Sequence, residues 1–242
     1  MSDVKNIKLG APIEYGFFGI KRSIEIILKN ADLRDKYLLD IGCGNGARTV
    51  EFSKYAYRCM AIDVEEGRLN LFKEEIKKRS IENCEIKQMN AMNLEYSDET
   101  FDIVTCIETL EHISDQEKTF KEIYRVLKAG GELVMVVPNK WWIFETHGAN
   151  LPLLPWNRIP FFSWLPEKIH DRHSYARIYT KKKIVNLVEK HGFKVYNTEY
   201  MMPPLDKVKN NLLKRIFRKI LLSLEKTVLN IFGVSIFVFA QK

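Results

Sequence analysis

The residues most able to do chemistry begin at Asp40, where a short apolar run passes into a loop with glycine at every second position. Gly42, Gly44 and Gly46 permit a tight strand-to-helix turn whose backbone can approach a ligand without a Cβ in the way. A carboxylate at a strand end repels a phosphate and attracts a cation, so Asp40 favours a cofactor with a positively charged group. The rival interpretation is a dinucleotide fold, because Gly42, Gly44 and Ala47 also fit the dinucleotide-binding spacing.

A second carboxylate follows at the distance expected for a nucleotide-binding sheet. Asp63 closes the run Arg58-Cys-Met-Ala-Ile-Asp63, about 20 residues after the glycine loop. A carboxylate at this point binds ribose hydroxyls in both kinds of fold. Asp63 therefore predicts a ribose-binding Rossmann-like sheet without choosing between the cofactors.

Further segments make that choice. The glycine loop resembles motif I of the class I S-adenosylmethionine (SAM)-dependent methyltransferases. Residues 86–102 resemble the family's adenine-contacting loop and fourth strand, and residues 125–138 resemble its helix, glycine turn and fifth strand. The resemblance implies a SAM cofactor whose binding residues come from several loops: Asp40, Gly42, Gly44 and Gly46 for the methionine part, Asp63 for the ribose, Asn90 and Ala91 for the adenine, and Ile107 beside them.

One position departs from the family pattern. Where the family usually has an aspartate that accepts a hydrogen bond from the adenine amino group, this chain has Asn90. An amide oxygen still accepts a hydrogen bond, so we expect a weaker contact rather than a lost one.

A second constellation, Glu108-Thr-Leu-Glu111-His112, follows the fourth predicted strand. Its two carboxylates share a face if the segment is helical. One interpretation gives Glu108 a cofactor contact and His112 a packing role at the base of the substrate site. The other rests on a resemblance of E-x-x-E-H to ubiquinone-biosynthetic O-methyltransferases and small-RNA 2′-O-methyltransferases, and it implies a magnesium-like cation.

That interpretation needs a further histidine, which residues 168–177 supply as His170 or His173. The implied metal ligands are Glu108, Glu111, His112 and His173. Because imidazole titrates near neutral pH, His112 and His173 are also the candidate bases that remove the proton of a hydroxyl acceptor.

The elements that must position these residues alternate along the chain. Apolar runs predict strands near 37–41, 58–63, 84–89, 101–106, 131–137, 193–200 and 234–241, and helices near 15–30, 46–54, 65–79, 115–127 and 180–191. This alternation predicts an α/β fold, a Rossmann-like sheet of seven strands, mainly parallel, with helices on both faces. The family resemblance implies that the last strand inserts antiparallel.

Length and composition predict a single SAM-dependent methyltransferase domain over 1–242, because 242 residues with 46% apolar content can bury one core and no linker divides them. Cys43, Cys59, Cys84 and Cys106 lack zinc-like spacing and are expected to be reduced thiols of a cytoplasmic protein. The sequence shows neither a secretory segment nor an apolar stretch long enough to cross a bilayer.

Two insertions are expected to set the substrate. The first, 139–172, holds all four tryptophans of the chain. Prolines interrupt it, so it is predicted to form a lid over the active site rather than a long helix. Its tryptophans suit a membrane interface equally well.

The second insertion, 203–232, is basic. Apolar residues recur at helical spacing over 207–231, and from Pro203 onward eight Lys and Arg face two Asp and Glu, so most of the net charge of +7 lies here. Such a helix contacts a membrane, a partner protein or its own core. Together with the lid it favours peripheral attachment to the inner face of an anionic membrane. Nucleic acid is less favoured, because the charges alternate with Leu and Ile rather than with exposed aromatic residues.

These observations favour SAM-dependent methylation of an oxygen on a small or lipid-linked hydroxyl or phenol, similar to a quinone precursor. Three alternatives stay open: a methyltransferase acting on RNA or a soluble metabolite, a non-catalytic SAM-binding subunit that docks on a partner protein, and an NAD-dependent dehydrogenase. The dehydrogenase requires Asp40 to face away from the ligand.

Overall fold

The computed structural model describes residues 8, 14–149 and 159–242. Its strands are β1 (Tyr37–Ile41), β2 (Arg58–Asp63), β3 (Cys84–Gln88), β4 (Phe101–Ile107), β5 (Leu127–Pro138), β6 (Lys194–Met201) and β7 (Ser235–Gln241). Its α-helices are α1 (Phe18–Asn30), α2 (Thr49–Phe52), α3 (Glu66–Arg79), α4 (Gln116–Val126), α5 (Glu167–His173), α6 (Lys181–Lys190) and α7 (Asn211–Leu224). Short 3₁₀ turns lie at Leu110–His112, Phe162–Trp164 and Val228–Phe232.

The strands form one sheet in the order β3-β2-β1-β4-β5-β7-β6. The pairs from β3 to β5 are parallel, and β7 runs antiparallel to both of its neighbours. The predicted sheet, mainly parallel with an antiparallel last strand, is therefore confirmed. Because β1, β2 and β4 are parallel, their carboxyl ends meet at one edge, where a ligand site is expected.

Alternate strand residues supply a core on each face of the sheet. Leu38 faces the layer that contains Ile24 and Ile27 of α1, whereas Leu39 faces the layer that contains Phe120 of α4. All but Ile24 are completely or almost completely inaccessible to solvent. Burying one such side chain stabilises the fold by about 1.5–3 kcal/mol, so the edge loops are held on a rigid base.

Most predicted strand boundaries agree with the structure to within one or two residues, and β5 is the exception. It begins at Leu127 rather than near 131. The additional residues include Gly130 at φ +74°, and the pairing with β4 shifts register between Phe101 and Ile103. A bulge at this point lets the strand start early, which sequence alternation alone does not reveal.

The basic segment is divided into two helical pieces. Helix α7 begins after Asn210, whose side chain caps it by accepting from the Leu213 amide at 3.0 Å. It ends at Leu224, and the carboxylate of the next residue, Glu225, accepts from Arg22 at 2.6 Å and from the Met202 amide at 2.9 Å. These contacts attach the chain to the domain after α7. They interrupt the helix that the apolar spacing predicts over 207–231.

All four cysteines carry free thiols in this structure. Among the residues that the structure describes, no helix combines the length and the apolar character needed to span a membrane.

Candidate active site

The glycine loop joins β1 to α2 at the edge where the parallel strands end. The amides of Gly42 and Cys43 both donate to the carbonyl oxygen of Ile62, at 2.8 and 3.0 Å, which fixes the loop to β2. A Cβ on Gly42 would collide with Thr109, whereas a Cβ on Gly44 would meet nothing within 4 Å. Gly44 has φ +56° and borders open space, so its bare backbone can lie against a ligand.

The third glycine of the loop has a packing role. A Cβ on Gly46 would overlap the ring of Phe72, a buried residue of α3. Gly46 therefore lets α3 approach the loop closely, whereas Gly42 and Gly44 both line the cleft.

Asp40 lies below the loop, not in the cleft. Its Oδ2 accepts from the Thr49 hydroxyl at 2.6 Å and its Oδ1 from the Thr105 hydroxyl at 2.7 Å. Burial raises the pKa of this carboxyl, an effect that the two hydroxyl donors oppose. The expectation that Asp40 attracts the cofactor directly is thus not met, since it joins β1, β4 and the start of α2. Asp40 alone does not exclude a dinucleotide.

Asp63 lies at the carboxyl end of β2 in the wall of the cleft. Its Oδ2 accepts from the Gly44 amide at 2.9 Å and its Oδ1 from the Glu65 amide at 3.0 Å. Each carboxylate oxygen has a further lone pair, so Asp63 can hold the glycine loop and still accept hydrogen bonds from ribose hydroxyls.

Asn90 and Ala91 line the same cleft, and Ile107 lies at its base. Oδ1 of Asn90 accepts from the Met92 amide at 2.9 Å, which leaves one lone pair for an adenine amino group. The cleft encloses about 1070 Å³. That volume is at the upper end of the roughly 300–1,000 Å³ of small-molecule sites, so a cofactor and a second molecule can share it.

Four ionisable side chains meet where β4 ends. Glu108 adopts φ +50° and Glu111 and His112 lie in a 3₁₀ turn, so the segment is not the α-helix on which the two carboxylates would share a face. Nε2 of His147 lies 3.5 Å from Oε1 of Glu111 and 4.0 Å from Oε2 of Glu108. The rings of His112 and His147 are 5.1 Å apart. Glu108, His112 and His147 line the cleft, and Glu111 is buried beside them.

Burial and mutual charge set the protonation of this cluster. Burial raises the pKa of the Glu111 carboxyl to about 7. Burial also opposes charging of His147, but its contacts with Glu111 and Glu108 outweigh this and raise its pKa to about 9. Burial and the neighbouring His147 lower the pKa of His112 to about 4. At neutral pH the cleft therefore presents a charged His147 beside a neutral His112.

A buried network holds the lid that carries His147. The His147 amide donates to Oε1 of Glu145 at 2.9 Å, and Oε2 of Glu145 lies 2.8 Å from Nε2 of His170. Nδ1 of His170 lies 3.0 Å from Oδ1 of Asp171. Glu145, His170 and Asp171 are all buried. His147 was not predicted, because no local spacing in the sequence joins it to His112. Its one signal in the sequence is its place in the predicted lid.

His173 is placed differently from the prediction. It is the last residue of α5 and is not among the residues that line the cleft. Helix α5 instead turns His170 toward Glu145. The position that sequence analysis gave to His173 is occupied by His147.

The lid, predicted over 139–172, reaches the cleft through Trp142 and Phe144. Within the lid, Trp164 donates its indole N–H to the carbonyl oxygen of Trp141 at 3.2 Å. Residues 150–158, with Trp156 and two of the four lid prolines, lie outside the described residues.

Three of the clustered side chains could hold a metal ion. Glu111, His112 and His147 each bring a ligand atom within 4.8 Å of the others. Within the described ranges, the Glu111 oxygens and Nδ1 of His112 are buried without hydrogen-bond partners. One carboxylate and two imidazoles suit zinc or a similar transition-metal ion. Magnesium prefers oxygen ligands, so these donors do not fit the magnesium site predicted at Glu108, Glu111, His112 and His173.

Arg48 brings a positive charge to the cleft. Its Nε is buried and has no hydrogen-bond partner in the part of the chain that the structure describes. Burial lowers the pKa of its guanidinium, an effect opposed by Glu108, Asp40 and Glu111. A guanidinium with an unused N–H is suited to binding a carboxylate.

Comparison with known proteins identifies the kind of domain. Residues 39–135 match the family described as a methyltransferase domain. An uncharacterized methyltransferase of Bacillus subtilis, YcgJ, is 31% identical over 120 residues, which cover 49% of this chain and 47% of YcgJ. The chain thus spans about half of that relative's length. A ubiquinone biosynthesis O-methyltransferase of Coxiella burnetii is 25% identical over 175 residues, which cover 71% of this chain and 69% of that protein.

A solved structure has the same fold along almost the whole chain. The SAM-dependent methyltransferase of Aquifex aeolicus superposes with a TM-score of 0.59 at 17% identity and covers 93% of this chain and 89% of that protein. Residues 39–135 are thus similar to a methyltransferase domain, and the seven-stranded sheet has the fold of a SAM-dependent methyltransferase.

Proposed function

We propose that the protein transfers the methyl group of SAM to a hydroxyl oxygen of a phenolic or lipid-linked acceptor, similar to a quinone precursor. The observation that carries this proposal is the position of the His112–His147 cluster, in the same cleft as the glycine loop and Asp63. A methyl donor and an acid–base pair at one edge of the sheet are what oxygen methylation requires.

The cofactor contacts follow from the groups described. Asp63 holds the ribose hydroxyls, Asn90 and Ala91 contact the adenine, and the backbone at Gly44 faces the methionine part. Arg48 binds the methionine carboxylate through its free Nε–H. Glu108 supplies the negative charge beside the sulfonium that Asp40, buried below the loop, does not.

Little catalytic work is needed beyond alignment and removal of one proton. The sulfonium is already an activated electrophile, so holding the acceptor oxygen in line with the methyl carbon and excluding water provides most of the acceleration. The acceptor O–H bond breaks, the methyl–oxygen bond forms and the methyl–sulfur bond breaks, which leaves S-adenosylhomocysteine. His147 in its charged form stabilises the developing oxyanion and so lowers the pKa of the acceptor hydroxyl, which lets the weakly basic, neutral His112 accept the proton.

A zinc-type ion held by Glu111, His112 and His147 would supply related chemistry, because a bound metal lowers the pKa of a hydroxyl that coordinates it. In that case the three side chains act as ligands, and metal binding is measurable without any substrate.

The acceptor class is supported by the lid and by one relative. Trp142 and Phe144 line the cleft with flat aromatic surfaces, and Leu205 and Val208 add an apolar border. Such walls suit an aromatic ring with an apolar tail better than a charged metabolite. The relative from Coxiella burnetii carries the name of a ubiquinone biosynthesis O-methyltransferase.

The test combines binding and turnover. Calorimetry with S-adenosylhomocysteine and, separately, NAD identifies the cofactor, and mass spectrometry then detects methylation of a catechol that carries a short prenyl chain. We expect His112→Gln and His147→Gln each to lower turnover by about 10²–10⁴-fold with S-adenosylhomocysteine affinity retained. Asp63→Ala should abolish that binding.

Two further histidines provide controls. His191, which stacks on Phe120 away from the cleft, should tolerate glutamine without loss of turnover. His173→Gln should also retain turnover; loss there with His147→Gln unaffected would restore the original sequence prediction. NAD binding without S-adenosylhomocysteine binding would overturn the proposal. Cofactor binding without methylation of any phenol, RNA or small metabolite would indicate the non-catalytic subunit.

A further inference from the structure

Helix α7 packs on the domain with its apolar face outward. Leu212, Leu213, Ile216, Phe217 and Ile220 form this apolar face, and each is between 46% and 63% exposed. No residue of α7 is buried. A surface helix normally turns such residues toward the core, so the orientation is the reverse of the usual one.

The side that faces the domain is polar. Arg218 donates from Nε to the carbonyl oxygen of Pro204 at 2.6 Å and from a terminal nitrogen to Asp206 at 2.7 Å, and its guanidinium lies 4.2 Å from the centre of the Phe18 ring. Asp206 also accepts from the Gly19 amide at 2.9 Å. These contacts fix which side of α7 faces the domain.

Basic residues border the apolar face. Helix α7 contains Lys214, Arg215, Arg218 and Lys219 and no acidic residue. Of these, Arg218 is the one that joins an ion pair among the described residues. Lys214, Arg215 and Lys219 are therefore available to an external anion, and they flank side chains that need an apolar partner.

The exposed apolar surface continues beyond α7. The 3₁₀ turn at 228–232 adds Val228, 87% exposed, and Leu229. Phe232 of the same turn lies 6.2 Å, between ring centres, from Trp164 of the lid. Indole rings are favoured at the headgroup depth of a bilayer.

We propose that α7 and the 3₁₀ turn dock on an anionic lipid bilayer, with the apolar face inserted among the acyl chains and Lys214, Arg215 and Lys219 at the headgroups. Outward apolar residues bordered by unpaired cations fit this partner, because an anionic bilayer offers both a hydrocarbon layer and negative charge. A second copy of this chain that bound through its own α7 would bring the same positive charges to the interface, and the two sets of charges would repel each other.

Docking of α7 places the cleft at the membrane. Residues 203–208 lead directly into α7 and line the cleft with Pro203, Leu205 and Val208. An acceptor with an apolar tail could then reach the cleft from the bilayer. This last step rests on the proposed function, whereas docking itself does not.

Co-sedimentation with vesicles tests the docking without using catalysis. We expect binding to vesicles of phosphatidylglycerol and phosphatidylcholine, weaker binding in high salt, and none to phosphatidylcholine alone. Changing Lys214, Arg215 and Lys219 together to Glu should weaken binding at least about 100-fold, because each basic residue near the surface contributes about fivefold. Arg218 is kept so that α7 stays attached.

Matched variants keep the result decisive. Changing Lys73, Lys77 and Lys78 of α3 to Glu makes the same change in net charge on another exposed helix. Because salt screens charges at a distance, this variant should bind vesicles within about twofold of the unmodified protein. Phe217→Ser with Ile220→Ser should reduce binding while S-adenosylhomocysteine affinity, measured by calorimetry, is retained.

Several outcomes would overturn the proposal. One is that the unmodified protein does not bind the anionic vesicles. Another is that the α3 variant loses as much vesicle binding as the α7 variant. A third is sedimentation-velocity evidence for a dimer that the Phe217 and Ile220 changes dissociate, without vesicle binding. Retention on mixed-sequence single-stranded RNA but not on vesicles would assign the basic residues to nucleic acid.

Discussion

Arg48 extends a positive charge into a cleft whose wall also carries Asp63 and Glu108. Its buried Nε–H has no acceptor within the described residues. A buried donor without an acceptor is costly, and a ligand carboxylate would remove that cost. The methionine part of SAM is the portion of the cofactor that carries such a carboxylate.

Arg48→Met should therefore weaken S-adenosylhomocysteine binding by about 10–100-fold, the worth of a hydrogen bond to a charged group. Binding of 5′-methylthioadenosine, which lacks the carboxylate, should change little. Calorimetry with both ligands measures the difference. Arg58→Met, at an exposed ion pair with Glu85, is the control. An equal loss for the two ligands would show that Arg48 supports the cleft rather than the carboxylate.

The sequence predicts which single residues line the cleft where their position depends on the end of a strand. Asp63, Asn90 and Ala91 follow strands that apolar runs locate, and all three line the cleft. Asp40 has the same kind of position, but its orientation depends on Thr49 and Thr105, which no local pattern assigns. His147 was unpredictable for a related reason, since a tertiary contact alone brings the lid to Glu111.

Among the elements, the lid depends on a buried ionic network. His170 lies between Glu145 and Asp171, and these two carboxylates raise its pKa against the effect of burial. A raised folded-state pKa means that the stabilisation is complete below the unfolded value of about 6.5 and is lost as pH rises through the folded value.

His170→Gln should cost about 3 kcal/mol of unfolding free energy at pH 6, because it leaves two buried carboxylates without their cation. The cost should shrink at pH 9, where His170 in the parent protein has lost more of its proton. Urea denaturation of both proteins at the two pH values measures this. Equal costs at pH 6 and pH 9 would contradict an ionic role for His170.

The helical spacing of apolar residues predicts where the basic helix lies but not where it is interrupted. The spacing over 207–231 predicts a basic amphipathic helix, and α7 occupies most of that range. The break at Glu225 depends on Arg22, about two hundred positions away in the chain, and therefore lies beyond any local pattern. Periodicity defines an apolar face but does not say whether that face turns toward the domain or toward solvent. Here the Arg218 contacts turn the apolar face of α7 outward.

At the scale of the whole molecule, the cleft joins loops from β1, β2, β4 and the lid, so a bound cofactor should stabilise the entire fold. At a concentration 100 times its Kd, S-adenosylhomocysteine should raise the unfolding free energy by about 2.7 kcal/mol. His112→Gln should show the same increase and Asp63→Ala none, as measured by urea denaturation. An undiminished increase in Asp63→Ala would remove the ribose role from that residue.

The place of β7 has a consequence for the order in which the protein is made. β7 follows the other six strands in the chain, yet it lies between β5 and β6 in the sheet. Until residues 235–241 leave the ribosome, β5 and β6 present unpaired edges to a crowded cell. Ser235 and Phe237 of β7 also line the cleft. A nascent chain can therefore assemble β1 to β4 early, but it acquires a complete cofactor cleft only after β7 has been synthesised.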